Sequence, residues 1–276
     1  MVLSVLLLAL CACGKTGSNA SNDDTLCQFK NLKITKYQHV IAADTAGQAD
    51  DPLADYYVSS TLRAFWPEVI NGKPCDALQQ ALLAQMTDTT VAGLEGVVDR
   101  ALVRLVDDST ARVQPVDALP ADAERISRDN VTVRLMNNND RLFTFEVAGD
   151  SYMAGGAHGM YTRRFVTYDV TEGKVLNFND IIADTTMLKS LILQSLKDNP
   201  DVEVANLFLP ADGQPPVPTE YYIDQQNVLH LYYQVYDIAP YAMGPIDAAI
   251  YPIALGDDQL KVFTPLGKAL LMSDEQ

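Results

Sequence analysis

Apolar and polar residues alternate in the first part of the chain, which is the pattern of a half-buried strand. In residues 26–41 two aliphatic positions alternate with Lys33 and Thr35, so we predict a strand there. Residues 56–66 fit two interpretations, because their apolar positions lie on one face of a strand but partly also keep helical spacing. Pro67 and the turn after it are expected to end this segment.

Three segments repeat apolar residues at the spacing of an amphipathic helix and are predicted as helices. They are residues 76–86, 91–106 and 186–197. Asp88 or Thr90 can cap the second helix, because short polar side chains accept hydrogen bonds from unpaired backbone amides.

Beyond residue 130 the pattern changes to short strands separated by turns. Turns at residues 137–140 and 171–173 predict two hairpins, and alternation at 228–235 and 248–255 predicts late strands. Helices mixed with antiparallel hairpins, without regular βαβ alternation, predict an α+β fold with a few packing helices and two small subdomains.

The overall charge of the chain limits its partners. The 276 residues carry a formal net charge of -16, and the sequence pI is about 4.4. Such a surface repels phosphate backbones, so we expect no nucleic-acid partner. A cationic partner would be attracted, but no block of like charges marks a patch, and solubility is an equally physical explanation.

The N-terminus has the character of a lipoprotein signal. Residues 1–12 contain no charged side chain and are too short to span a bilayer, as in the apolar region of a signal peptide. The run ends in Leu10-Cys11-Ala12-Cys13, which resembles a bacterial lipobox with Cys13 as the lipidated residue. Residues 13–25 are mainly small and polar, which is typical of a flexible tether.

This interpretation predicts a protein of the cell envelope, held to a membrane by lipid and facing the periplasm or the cell surface. Several acyl chains on one cysteine would anchor it stably. A cleaved secretory signal with incidental cysteines is the alternative.

Two cysteines remain after maturation, Cys27 and Cys75. The compartment outside the inner membrane permits disulfides, so we predict that these two are joined. On the chain-entropy model such a bridge would contribute about 4 kcal/mol. Two free thiols are the alternative, and two lone cysteines do not make a tetrahedral zinc site.

The sequence shows none of the usual signatures of catalysis. The three histidines, His39, His158 and His230, are far apart in sequence, and no nucleophile elbow, Ser-x-x-Lys or Walker loop occurs. We therefore expect no enzyme activity, no metal and no cofactor. We interpret His230 as a half-buried strand residue.

One glycine-rich cluster is unusual. Gly155-Gly156-Ala157-His158-Gly159 joins two predicted strands, and Tyr161 follows directly. Glycine permits positive φ and close backbone approach, and a single histidine can donate or accept hydrogen bonds. The cluster is either a demanding turn or a ligand-contacting loop.

These residues carry a family resemblance. The glycine cluster, a later hairpin and a tyrosine-rich run resemble motifs of the RsiV-type domain of unknown function. The last two read Tyr168-Asp169-x-Thr171-x-Gly173-Lys174 and Tyr236-x-Ile238-Ala239-Pro240-Tyr241-Ala242-x-Gly244. Residues 126–276 thus resemble an RsiV-like domain, and residues 26–125 more weakly resemble its PdaC-like companion domain.

The resemblance implies a non-catalytic module. In that family the domain can form the outer part of a lysozyme-sensing protein or accompany a separate deacetylase domain. Our leading hypothesis is a binding lipoprotein whose ligand is a lysozyme-like cationic protein or peptidoglycan or another glycan. The alternatives are a hydrolase built on His158 with Asp169 or Asp237, and a structural envelope component.

If the glycine-rich cluster and the loop in the tyrosine-rich run emerge at the same end of the sheet, they could form one binding rim. Tyrosine suits such a surface because it offers a large face at low entropy cost. Alternatively, these tyrosines fill the core. The candidate ligand-binding residues are Gly155, Gly156, His158, Tyr161, Tyr236, Asp237, Tyr241 and Gly244.

Overall fold

The computed structural model describes residues 8–9, 27–41, 55–106 and 110–272. The predicted lipidation site Cys13 and the tether behind it lie outside the described residues, as does most of the predicted signal peptide. No helix within the described ranges is long and apolar enough to cross a membrane.

The strands form a sheet of nine and a sheet of three. The large sheet contains β1 (Leu8–Ala9), β2 (Cys27–Ile41), β3 (Asp55–Ile70), β4 (Lys73–Pro74), β5 (Arg112–Val116), β6 (Ile126–Asn138), β7 (Leu142–Tyr152), β8 (Met160–Asp169) and β9 (Lys174–Leu176). The small sheet contains β10 (Glu220–Ile223), β11 (Leu229–Tyr233) and β12 (Ile246–Ile250). The helices are α1 (Asp76–Met86), α2 (Gly93–Arg104), α3 (Phe178–Ile181), α4 (Thr185–Asp198) and α5 (Pro265–Leu271).

The main path of the large sheet runs β1-β2-β3-β6-β7-β8-β9. Strands β3 and β6 pair in parallel, and the other pairings between described strands are antiparallel. The predicted α+β class is therefore confirmed. The predicted subdomain boundary falls just before β6, whose pairing with β3 continues the sheet across it, and the division stays a prediction.

Each sheet buries one face under helices. Side chains of α1 and α2 pack on the large sheet, where Phe145 and Leu62 are fully buried. Side chains of α4 pack on the small sheet around Leu231. Because side chains alternate along a strand, the opposite face of each sheet carries its polar residues.

The small sheet stands at the edge of β8. The backbone amide of Phe165 in β8 donates to the Glu220 carboxylate at 3.1 Å. The Phe165 ring stacks on Tyr222 at 4.5 Å and meets the edge of Tyr232 at 5.4 Å. These rings join the polar face of the small sheet to the face of the large sheet that lies opposite α1 and α2.

The ambiguous segment at residues 56–66 is strand, and the expectation that Pro67 ends it was wrong. Strand β3 continues to Ile70, with a register irregularity next to the Phe29–Pro67 pair. On its other side β6 pairs with β3 only as far as Ala64, so the missing amide of Pro67 costs no ladder bond there.

The helix cores were predicted correctly and their ends less well. Helix α2 begins at Gly93, and its N-cap residue is Ala92, so neither Asp88 nor Thr90 caps it. Helix α4 begins one residue earlier than predicted, because the Asp184 side chain accepts from the amides of Thr186 and Met187. Tertiary packing, more than capping chemistry, sets the start of α2.

Two turn and strand boundaries also differ from the prediction. Asn137 and Asn138 belong to β6, because the buried Asn137 amide donates to the backbone of residues 223–224 at the end of β10. Strand β12 spans Ile246–Ile250 instead of residues 248–255, since a 3-10 turn begins at Pro252.

Candidate functional site

The glycine-rich loop, residues 153–159, connects β7 and β8. Its turn is closed by a hydrogen bond from the Gly156 amide to the Met153 carbonyl at 2.9 Å. Gly155 has a φ of 87°, which a side chain would disfavour. The Ala154 amide donates to the buried Ser127 hydroxyl at 2.9 Å, so the loop is fixed to β6.

The second loop, residues 234–245, connects β11 and β12. Its first turn is held by the Gln234 amide, which donates to the Asp237 carboxylate at 2.7 Å. Ile238 and Ala239 are buried in the core under the small sheet and anchor the loop from below. Gly244 ends the loop with a φ of 70°.

Two sets of hydrogen bonds bring the loops together. The side-chain amide of Gln234 accepts from the Arg163 amide at 3.1 Å and also donates to the Arg163 carbonyl. The Tyr241 hydroxyl donates to the Gly159 carbonyl at 2.8 Å. The second loop is thus bonded to β8 and to the glycine-rich loop at once.

Aromatic rings cover this junction. The His158 ring stacks on Tyr241 with centroids 4.1 Å apart, and Tyr236 lies 5.6 Å from Tyr241. Tyr161 and Tyr236 are 53% and 52% exposed, so these large rings face solvent and do not fill the core. We call His158, Tyr161, Tyr236 and Tyr241 the aromatic rim.

Two observations mark the rim as electrostatically and conformationally unusual. Partial burial first, then the nearby phenols of Tyr161 and Tyr236, raise the pKa of Tyr241. Tyr236 has a φ of 72°, a left-handed conformation that is rare for a bulky residue. The fold therefore holds an exposed tyrosine in a strained backbone.

Each candidate residue predicted from sequence can now be placed. The two loops end different sheets, the glycine-rich loop the large one and the second loop the small one, but they lie side by side and His158 stacks on Tyr241. The core-filling interpretation holds for Tyr232 and Tyr233, which are buried, but not for Tyr236. Gly155, Gly156 and Gly244 shape the loops, while Asp237 is exposed and braces the second one.

The pairing with Asp169 that the hydrolase alternative considered is not formed. Asp169 ends β8 at the far side from His158, roughly 30 Å along the strand. It is buried, and its carboxylate accepts from the Thr171 and Glu172 amides of the hairpin turn. His158 Nδ1 instead lies 2.9 Å from the Gly159 carbonyl oxygen.

Sequence reasoning missed a second histidine cluster, on the polar face of the small sheet. His230 Nδ1 lies 3.1 Å from the Asp247 carboxylate, and Nε2 lies 3.2 Å from Asp224. The Tyr222 ring stacks on the imidazole at 4.3 Å, and its hydroxyl donates to Asp247 at 2.7 Å. This cluster connects all three strands of the small sheet.

The charge balance of that cluster favours the imidazolium. Burial by itself lowers the pKa of His230, but hydrogen bonds and charges from Asp247 and Asp224 outweigh it, and the pKa is raised. The available sequence signal was the period-two pattern, which puts His230 and Asp247 on the polar faces of their strands. Strand pairing that brings these faces together is not visible in a single sequence.

The two cysteines predicted to pair are both buried in the core of the large sheet. Burial first, then the Asp76 charge, raises the pKa of the Cys75 thiol to about 11, and Cys27 lies near enough to contribute. The disulfide stays a prediction. No cluster of three or more acidic, histidine or cysteine side chains suited to a metal occurs in the described part of the chain.

A small sheet on one helix, beside a larger sheet under two helices, defines a two-sheet α+β protein. The family model DUF3298, a protein of unknown function, matches residues 179–251, so this part of the chain is similar to that family. That match includes Tyr236 and Tyr241 of the rim but not the glycine-rich loop. The search of curated proteins gave no match.

Two solved structures share the fold. A DUF3298 family member from Bacteroides fragilis NCTC 9343 is 17% identical with a TM-score of 0.58, covering 89% of this chain and 96% of that one. A DUF3298 family protein from Pseudomonas aeruginosa PAO1 is 18% identical with a TM-score of 0.51, covering 86% and 94%. At these identities the likeness concerns the fold alone.

Proposed function

We propose that this protein is a non-catalytic binding module of the bacterial cell envelope and that the aromatic rim contacts its ligand. The main support is that hydrogen bonds join two loops distant in sequence, which together expose the rings of Tyr161 and Tyr236. The backbone of Tyr236 is strained. Strain of this kind persists only where the surroundings impose it, and it is concentrated at functional sites. The RsiV-like resemblance supports a binding role.

A glycan, with peptidoglycan as the first choice, is the ligand that the surroundings of the rim favour. Tyr161 lies on β8 beside Arg163, and Arg128 packs over Tyr152 nearby at 5.3 Å. Both arginines are paired with carboxylates, so their charge does not decide the partner here. The exposed tyrosines, on which sugar rings can stack, favour a glycan. The lysozyme-like partner suggested by the net charge is the second choice.

Binding of the mature protein to purified peptidoglycan tests the proposal. His158→Ala combined with Tyr241→Ala should weaken binding at least about tenfold, because rim contacts of this kind dominate affinity. His39 and Tyr57, stacked at 4.6 Å elsewhere on the large sheet, provide a matched control pair. Equal loss with the control pair, or retained binding with the rim variant, would contradict the proposal.

Lysozyme is measured in parallel with the same variants. Saturable lysozyme binding that depends on the rim, with none to peptidoglycan, would reassign the ligand to a cationic protein. Turnover of peptidoglycan fragments that His158→Ala abolishes would replace the binding module with the hydrolase alternative.

The proposed anchor is lipid on Cys13, supported by the lipobox-like residues and the polar tether. Cys13→Ala should move the protein from the membrane fraction to the soluble fraction, and Cys11→Ala is the matched control. A Cys13→Ala protein that stays with the membrane would contradict the lipid anchor without affecting the rim.

A further inference from the structure

The face of the large sheet opposite α1 and α2 carries an aligned row of residues. Strand register places Lys33 opposite Arg63, Arg63 beside Thr132, Thr132 opposite Ala148, and Ala148 opposite Arg163. Residues in register share a face, so these five side chains form one line across β2, β3, β6, β7 and β8. The line has cations at both ends and small residues in the middle.

Neighbouring rows add two more arginines to the same face. Arg134 and Arg163 both pair with Glu146, which is buried, and Arg128 lies 3.5 Å from Asp150. Their own side chains stay about half exposed. We call Lys33, Arg63, Arg128, Arg134 and Arg163 the basic face. Glu146 and Asp150 pair with three of these five cations, in a chain whose net charge is -16.

Lys33 and Arg63 are the least explained members. They are directly opposite each other on adjacent strands, and both are exposed. Like charges in this position destabilise a sheet. Among the residues that the structure describes, neither makes an ion pair. This pair therefore offers two exposed positive charges to an external anion.

The shape of the basic face selects an extended ligand. The cations are spread over four strand spacings, roughly 19 Å, and do not converge on one point as they would around a small anion. Half-buried Thr132 and Ala148 leave a low floor between them. The small sheet stands at the β8 edge beside Arg163, with Tyr222 and Tyr232 over Phe165. A single polymer chain can lie along this surface, but a planar bilayer would collide with the small sheet at its edge.

We propose that the basic face binds an acidic polysaccharide, a glycan chain that carries carboxylate or phosphate groups. The cations would pair with its anionic groups, and the exposed Tyr161 beside Arg163 would stack on a sugar ring. This surface borders the aromatic rim and shares Tyr161 with it. Lys33 and Arg63 lie on β2 and β3, outside the two rim loops, so their contribution does not depend on whether the rim binds peptidoglycan.

Alginate, a polymer of uronic acids, is the probe, and neutral dextran is the uncharged reference. Alginate binding should be saturable and should weaken as salt rises, because paired counterions are released on binding. Lys33→Gln with Arg63→Gln should weaken it about tenfold, the change expected when roughly 1.4 kcal/mol of attraction is lost. Arg63→Lys should keep most of the affinity.

A matched control removes the same charge elsewhere. Lys73 and Lys197 are exposed and lie on β4 and at the end of α4. Lys73→Gln with Lys197→Gln should change alginate affinity less than about twofold, and melting curves of both double variants should overlay that of the parent.

Three outcomes would overturn the proposal. The first is that dextran binds as tightly as alginate. The second is that Lys73→Gln with Lys197→Gln loses as much affinity as Lys33→Gln with Arg63→Gln. The third is that phosphatidylglycerol vesicles bind more tightly than alginate. The last result would assign the face to a membrane surface. Peptidoglycan binding by the rim is measured separately, so the two proposals can fail independently.

Discussion

The two histidines of the C-terminal region occupy opposite kinds of environment. His230 has a carboxylate at each ring nitrogen and a tyrosine on its face, and only 16% of its side chain is exposed. His158 is exposed, contacts the carbonyl of the next residue, and shares one ring face with Tyr241. The bonds of His230 are used within the fold, whereas His158 keeps an edge and a face for a ligand.

This difference shows that residue type did not decide the role. His158 lies just before β8 and His230 lies within β11, and each stacks on a tyrosine ring. With a carboxylate at each ring nitrogen, His230 resembles a catalytic histidine more closely. Its ring nitrogens, however, are already occupied by Asp224 and Asp247, which connect strands of the small sheet. We therefore interpret the cluster of His230, Tyr222, Asp224 and Asp247 as a structural clamp of the small sheet, and the aromatic rim as the proposed ligand surface.

The largest expected effect is on the clamp. His230→Ala should lower the free energy of unfolding by about 2 kcal/mol, because it removes hydrogen bonds to two carboxylates and leaves both without a counter-charge. Urea unfolding at pH 6 measures it. Peptidoglycan binding should be unchanged under conditions where the variant is folded. A loss of binding in a fully folded variant would place His230 in the ligand site.

The pH dependence of this effect has a definite sign. The folded pKa of His230 is raised above its usual 6.5, so the stabilisation is complete below that value and is lost as pH rises through the folded pKa. The stability difference between the parent and His230→Ala should therefore be larger at pH 5.5 than at pH 8.5. A difference that grows with pH would show that the imidazole is held neutral.

A smaller effect of opposite sign is expected at the rim. Tyr236→Asn should raise the free energy of unfolding by about 1 kcal/mol, because asparagine tolerates the left-handed backbone better. The same change should weaken peptidoglycan binding. Tyr251, which is 56% exposed but has a φ of -96°, is the control, and Tyr251→Asn should not stabilise. Destabilisation by Tyr236→Asn would mean that its ring packs on the fold.

The smallest stability effect is expected for His158 itself. His158→Ala should change the free energy of unfolding by less than about 0.5 kcal/mol, as is usual for an exposed residue outside a buried network. Calorimetric melting of parent and variant measures the change. A destabilisation as large as that of His230→Ala would mean that His158 has a structural role, and the contrast between the two histidines would be lost.

Much of the fold was predictable, because periodicity reports local burial. Helices α1 and α4 and strands β2 and β11 follow their apolar patterns closely. The failures came from tertiary context. Pro67 stays within β3 because the pairing of β3 with β6 stops at Ala64, and Asn137 joins β6 because its side chain bonds to the backbone at the end of β10. Neither partner lies near in sequence.

The candidate site was half predictable for the same reason. The glycine cluster and the tyrosine-rich run each stood out as local composition. Their meeting depended on bonds between Tyr241 and Gly159 and between Gln234 and Arg163. Alternation alone put His230 and Asp247 on polar strand faces. It did not show that they meet, because Asp224 and Asp247 come together with His230 only after β10, β11 and β12 pair.

The sequence by itself determined the alternation of side chains, the helical faces, the glycines that permit the loop turns, and the total charge. Where that charge lies was decided only by the tertiary structure. Lys33, Arg63 and Arg163 lie in three separate parts of an acidic chain, and no sequence window joins them. Strand register lines them up on one face, because hydrogen bonding between strands brings distant residues within one strand spacing of each other.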